Sequence, residues 1–230
     1  KRFHQPPISL DSLPTLDGIM ISHDHYDHLD EKTVRILATK TTNFVVPLGL
    51  KDNLLAWGVP AHKIHELDWW QSTQIETLTI TATPSQHFSG RGLSDKFATL
   101  WGSWVIEGSS QQMYFSGDSG YSPWFKEIGE RFGPMDFAMI ECGAYNKEDW
   151  GDIHMLPEES VQAALDLNAK VAMPIHWGKF DLALHAWKEP VSRFLKKANE
   201  NGLKTHTPEV GAILSIPVEA TQTKWWTKYE

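Results

Sequence analysis

Residues 23–28 read His-Asp-His-Tyr-Asp-His, between a short apolar run, Gly18 to Ser22, and a segment of helical period. Asp30 can cap that helix, expected to run through Thr39, with Leu29 and Val34 at the two positions of a hydrophobic staple. A buried strand therefore ends where the histidines begin, and a helix starts where they stop. Histidines two apart at a strand exit project to one side, so His23 and His25 can hold one metal ion at ~2.0–2.1 Å, the usual zinc–nitrogen distance. Asp27 and His28, one step on, can reach a second ion. A lone histidine here would be an ordinary polar loop residue; His23, His25, Asp27 and His28 within six positions form a strong ligand pattern.

The rest of the chain sets the frame for this hexapeptide. In 230 residues, 41% come from the set AVILMFWYC; with Gly counted in place of Tyr the share is about 46%, an ordinary globular value that excludes disorder. No run approaches the ~20 apolar residues of a membrane-spanning helix. A formal charge of −8 argues against broad binding to nucleic acid, which needs clustered Lys and Arg. Cys142 is the one cysteine, so no internal disulfide forms; ending a buried strand, it reads as a small core hydrophobe. The chain begins Lys-Arg-Phe rather than with Met, which leaves the compartment open between cytoplasm and a bacterial envelope.

No repeat or linker breaks the sequence, so residues 1–230 are expected to form one domain. Buried runs at Gly18 to Ser22, Asn43 to Val46, Asp136 to Ile140 and Lys170 to Ile175 alternate with helical segments at 50–57, 123–132, 157–168 and 189–200. Pro190 suits a first helical turn, and Gly58, Gly133 and Gly202 suit helix exits. From 73 to 117 the pattern becomes Thr, Ile, Val and aromatic residues in near-alternation around a turn at Glu107-Gly108-Ser109-Ser110, as in antiparallel strands. Two sheets packed face to face with helices outside follow, an α/β arrangement that leaves functional residues at strand ends.

His-x-His-x-Asp-His resembles the signature of the metallo-β-lactamase-fold metallohydrolases. Pro84-Ser85-Gln86-His87 is similar to that family's third histidine motif, Ser116-Gly117-Asp118-Ser119-Gly120 to its bridging aspartate motif, and Pro174-Ile175-His176-Trp177-Gly178 to its last histidine. The resemblance implies a four-layer αββα sandwich in which His23, His25 and His87 hold one metal, Asp27, His28 and His176 the other, and Asp118 bridges both. Members carry several strands before the first motif, whereas 22 residues precede His23 here. The fold is therefore expected to be N-terminally truncated, lacking those strands or taking them from a second copy in a homodimer. Zinc β-lactamases of the best-known type place a cysteine where this chain has Asp118, so lactamase activity is not expected.

Gly143-Ala144-Tyr145, His154-Met155-Leu156-Pro157-Glu158-Glu159 and Ile175 to Phe180 are similar to the branch containing N-acylphosphatidylethanolamine-hydrolysing phospholipase D, its bacterial members above all. That resemblance spans Arg2 to Phe180. It implies a binuclear hydrolase of phosphodiesterase type acting on such lipids through a hydroxide generated between the metals, with Asp27, Asp118 and His154 in catalysis. His154 would meet the phosphate or protonate the departing alkoxide; Glu141 and His185 are weaker candidates for orienting metal-bound imidazoles. All the ligands are nitrogen or oxygen, so two zinc ions are the first expectation, with iron or manganese as alternatives. Two +2 ions, two aspartates and one hydroxide leave 4 − 2 − 1 = +1, which attracts a phosphodiester despite the overall charge. A lactonase or non-lipid phosphodiesterase, and a non-catalytic envelope-associated metal-binding protein, are the alternatives. The 11 tryptophans read mostly as core, but Trp225-Trp226 beside Lys224 is the expected place for any peripheral membrane or dimer contact.

Overall fold

A computed structural model describes residues 2–229. The expected layers are present, and their order follows from which face of each strand is apolar. Three parallel strands, β1 (Ile19–Met20), β2 (Phe44–Pro47) and β3 (Ile64–Leu67), form the smaller sheet among the described residues. Phe44 and Val46 face helices α1 (Glu31–Leu37) and α2 (Lys51–Ala56), whereas Val45, one residue between them, faces the second sheet. This is the period of two that an extended chain imposes. Helix α1 begins as the sequence implies: Asp30 Oδ1 accepts the Thr33 N–H at 2.8 Å, and Leu29 and Val34 are both buried.

The larger sheet has seven strands in the order β10-β9-β8-β7-β6-β5-β4. β4 (Ser72–Ile75), β5 (Leu78–Thr83), β6 (Ser103–Glu107) and β7 (Gln112–Phe115) are the expected antiparallel meander. β8 (Phe137–Glu141), β9 (Val171–Ile175) and β10 (Lys204–Thr205) continue it in parallel. On β6 and β7, Trp104 and Phe115 enter the space between the sheets, while Val105 and Tyr114 face the outer helices. Those helices are α3 (Trp124–Phe132), α4 (Pro157–Asp166) and α5 (Glu189–Glu200). Three apolar clusters fill the three spaces between four layers, which defines an αββα sandwich.

Gly58, Gly133 and Gly202 all stand at helix exits as expected, Gly58 and Gly202 with φ of 89° and 67° and Gly133 closing α3 in an extended conformation. One detail differs from the sequence reading. Trp225 and Trp226 are buried, at 5% and 3% exposure, so they offer no surface to a membrane or a second copy. Their burial has a physical cause: Trp225 stacks on Trp177 at 5.4 Å and 26°, and Trp226 meets Trp177 edge-on. The two rings thereby close the core beneath the β9 exit. No helix among the described residues is long and apolar enough to cross a membrane.

Candidate metal centre

Four of the chemically distinctive residues follow the C-terminal ends of strands, so the layers deliver them to one edge of the sandwich. His23 comes after β1, His87 after β5, Asp118 after β7, and His176 directly after β9. The loops are then tied to each other. Gly120 N–H donates to the Gln86 carbonyl at 2.8 Å, and Gln86 N–H donates to Ser119 Oγ at 2.9 Å, which draws the His87 and Asp118 loops together. Gly117 has φ +57°, and a Cβ there would lie 2.6 Å from that of Ser22. Only glycine lets the Asp118 loop lie this close to the strand that ends at His23.

Two sets of donor atoms result. In the first, His25 Nδ1 lies 3.0 Å from His23 Nε2 and 3.2 Å from His87 Nε2, and Asp118 Oδ2 lies 3.7 Å and 3.9 Å from those same two nitrogens. In the second, His28 Nε2 and His176 Nε2 are 3.3 Å apart, each within 3.5 Å of Asp27 Oδ2 and within 3.3 Å of Asp118 Oδ2. Ligands at 2.0–2.1 Å in a tetrahedron are about 3.3–3.4 Å from one another, so both sets have the spacing of a single small cation. Imidazole lone pairs aimed at each other repel unless a proton or a cation lies between them. Asp118 Oδ1 is buried without a partner, again a place for positive charge. The residues fit a pair of metal ions.

The surroundings orient the rings. His87 Nδ1 donates to the Ile153 carbonyl at 3.0 Å, and His23 Nδ1 meets Ser22 Oγ at 3.0 Å, which leaves Nε2 free in each case. Burial pushes His87 down to about 3 and takes His23 well below the usual imidazole range, so both are neutral and able to ligate. At His28 burial also lowers the pKa, but the Asp118 and Asp27 carboxylates outweigh it and raise the group to about 10; the same opposition leaves His176 at about 8. Burial would raise Asp27, but hydrogen bonds from His176 and His28 hold it far below the ordinary carboxylate range.

His154 lies against this cluster. Its ring is parallel to that of His176 at 5.4 Å and crosses that of His87 at 5.1 Å. With Asp27, Asp118, His25, His87 and His176 it lines a cleft of about 220 Å³, whose other walls include Phe88, Trp150, Ile153 and Leu182. Burial lowers the His154 pKa, yet Glu141 reverses that and raises it. All seven expected ligands and His154 are thus brought together. His185 orients none of them: it stacks on Tyr145 at 4.2 Å, with Nδ1 donating to the Ala186 carbonyl at 3.2 Å, and only lines a neighbouring cavity that Asp27, His28 and His176 also face.

Sequence reasoning missed Arg91 and undervalued Glu141. Arg91 Nη1 donates to the carbonyls of Asp24 at 2.6 Å and Leu29 at 2.7 Å, and its guanidinium lies 4.1 Å from the centre of the Tyr26 ring. It clasps both ends of the histidine loop, and no local pattern around position 91 announces this.

Residues 1–177 match the family described as "Beta-lactamase superfamily domain". The chain belongs to the β-lactamase superfamily. A superfamily-type fold is also found by shape: Igni18, a metallo hydrolase from the archaeon Ignicoccus hospitalis, aligns with a TM-score of 0.67 at 21% identity over 85% of this chain and 77% of that one. An uncharacterised protein of Mycobacterium tuberculosis is 44% identical over 98% of this chain and 61% of its own length. N-acyl-phosphatidylethanolamine-hydrolyzing phospholipase D 1 of Caenorhabditis elegans is 38% identical over 79% of this chain and 54% of its own length. This β-lactamase superfamily chain therefore spans only about half to three fifths of those curated relatives.

Proposed function

We propose that this chain is a binuclear metal-dependent phosphodiesterase of phospholipase D type, acting on N-acylphosphatidylethanolamine-like lipids. The observation that carries the reading is the convergence of two donor sets beneath one cleft that His154 and an apolar wall also line. The 38% identity to the C. elegans phospholipase supports the substrate class.

In this reading His23, His25 and His87 would hold one ion and Asp27, His28 and His176 the other, with Asp118 available to both. Five imidazoles and two carboxylates without sulfur suit zinc, and iron or manganese accept the same donors. When bound, the ion pair supplies Lewis-acid polarisation of a phosphoryl oxygen and a water acidic enough to ionise near neutral pH. Hydrolysis adds hydroxide to phosphorus and returns a proton to the departing alcohol oxygen. In this reading His154 gives that proton, which is supported by the Glu141 carboxylate at its Nδ1, a partner that favours the protonated ring. Phe88, Trp150, Ile153 and Leu182 would offer acyl chains an apolar surface.

Mass spectrometry of products formed from N-acylphosphatidylethanolamine vesicles by zinc-loaded protein tests this, with Asp118→Ala in parallel. Phosphatidic acid and N-acylethanolamine are expected from the wild type alone. Turnover of a soluble bis-aryl phosphate or a lactone with none of the lipid would replace the lipid substrate by one of those esters. Absence of turnover on every ester class, with two ions still bound, would make the centre structural.

A further inference from the structure

Glu141 is the last residue of β8 and is fully buried, a costly place for a carboxylate unless both oxygens are used. Both are. Oε1 accepts the backbone N–H of Met155 at 2.8 Å, and Oε2 accepts Nδ1 of His154 at 3.0 Å. The Glu141 amide donates in turn to Ser116 Oγ at 2.9 Å, which fixes the carboxylate to the segment leading to Asp118. We infer that Glu141 is a positioning residue for His154: it keeps a proton on Nδ1, so that Nε2 is the ring nitrogen presented to the cleft.

The pairing needs a carboxylate. One acceptor serves a backbone N–H that cannot be moved, and the other serves an imidazole. In Glu141→Gln one acceptor becomes a donor at nearly constant volume. Met155 N–H has no alternative form, whereas a neutral imidazole can transfer its proton from Nδ1 to Nε2. The amide NH2 therefore turns to His154 and the tautomer inverts. The stacked His176 ring and the crossing His87 ring leave the His154 ring in place while this happens. Glu141 Oε2 lies 3.5 Å from His176 Nδ1, too far for a good hydrogen bond, so its direct partner is His154.

This inference rests on the proposed function only in placing substrate beside His154; the tautomer is independent of it. Long-range 1H–15N spectra of 15N-histidine-labelled protein read the tautomer, with the His154 signal identified by its loss in His154→Gln. In the wild type Nδ1 of His154 is expected to carry a proton, and in Glu141→Gln only Nε2. In the same variant kcat on the phosphodiester is expected to fall about 10–100-fold, with KM changed by about threefold at most. A wild-type ring protonated at Nε2 alone overturns the inference, and so does an unchanged His154 signal in Glu141→Gln. Should that variant fail to fold, the wild-type spectrum still decides. Wild-type protein that turns over no phosphodiester removes the functional reading while the tautomer result stands.

Discussion

The carbonyl oxygen of His176 occupies the position that a side chain on Gly143 would need. The two residues follow the paired strands β8 and β9, and Cys142 N–H donates to the Ile175 carbonyl at 3.0 Å just before they meet. His176 itself has φ +63°, a conformation that a non-glycine residue adopts only when its surroundings enforce it. The close approach of Gly143 is part of that enforcement. Gly143→Ala is expected to destabilise the fold by about 3 kcal/mol, the upper part of the range for overpacking, and to weaken metal binding at the donor set proposed to include His176. Chemical denaturation together with metal analysis measures both. A variant with wild-type stability and full metal content would mean that the β8–β9 exits can separate freely.

Metal stoichiometry separates the two donor sets. The wild type is expected to bind two equivalents, with His87→Ala and His28→Ala each losing one and Asp118→Ala weakening both. An ion at 100 times its Kd adds about 2.7 kcal/mol. For a chain of this size that raises Tm by about 5–10 °C relative to chelator-treated protein. Inductively coupled plasma analysis and thermal melts with and without EDTA provide the comparison; equal melting in the two conditions would count against a pre-built centre.

The proposed strand-end ligands are legible in the sequence because each follows a short apolar run, and Gly117, at φ +57°, marks the turn after one of them. The αββα layering is legible too, since strands with helices between them and strands without have different periodicity. Arg91 is not legible: its partners Asp24 and Leu29 lie 67 and 62 positions away, and the loop that carries it has no period. Trp225 and Trp226 mislead for a related reason. Beside lysines near the end of the chain they look superficial, and only the return of this segment onto Trp177 supplies the core that buries them.

Arg91 offers a test of how far the histidine loop depends on support from outside itself. Arg91→Met keeps an apolar stem against Tyr26 but removes both donors to the loop carbonyls. Metal affinity is expected to fall about 10–100-fold, the usual effect of losing a group that orients ligands. Competition with a chromophoric zinc chelator gives the value, and an unchanged Kd would show that Asp24, through its 2.8 Å bond from Gly90 N–H, suffices to hold the loop.

Acid stability is expected to depend on the clamp between α4 and α5. Arg193 donates to both oxygens of Glu158 at 2.7 Å and 3.0 Å, to Glu189 Oε1 at 3.0 Å, and to the Tyr145 hydroxyl at 3.3 Å. Hydrogen bonds from Arg193 lower the pKa of Glu158. At Glu189 burial acts upward, but the bonds from Tyr145 and Arg193 prevail and lower it. A carboxylate whose pKa is lower in the folded state stabilises fully above its unfolded value, about 4.3, and loses that contribution as pH falls through its folded value. Because the groups are partly exposed, Arg193→Ala is expected to cost only about 1 kcal/mol at pH 7. Urea denaturation of metal-free wild type and variant should show that difference at pH 7 and its progressive loss as the pH falls below the unfolded carboxylate value and through the lowered folded ones. A difference that persists undiminished in acid would assign it to the packing of Arg193 over the Tyr145 ring, 5.1 Å away, rather than to the carboxylates.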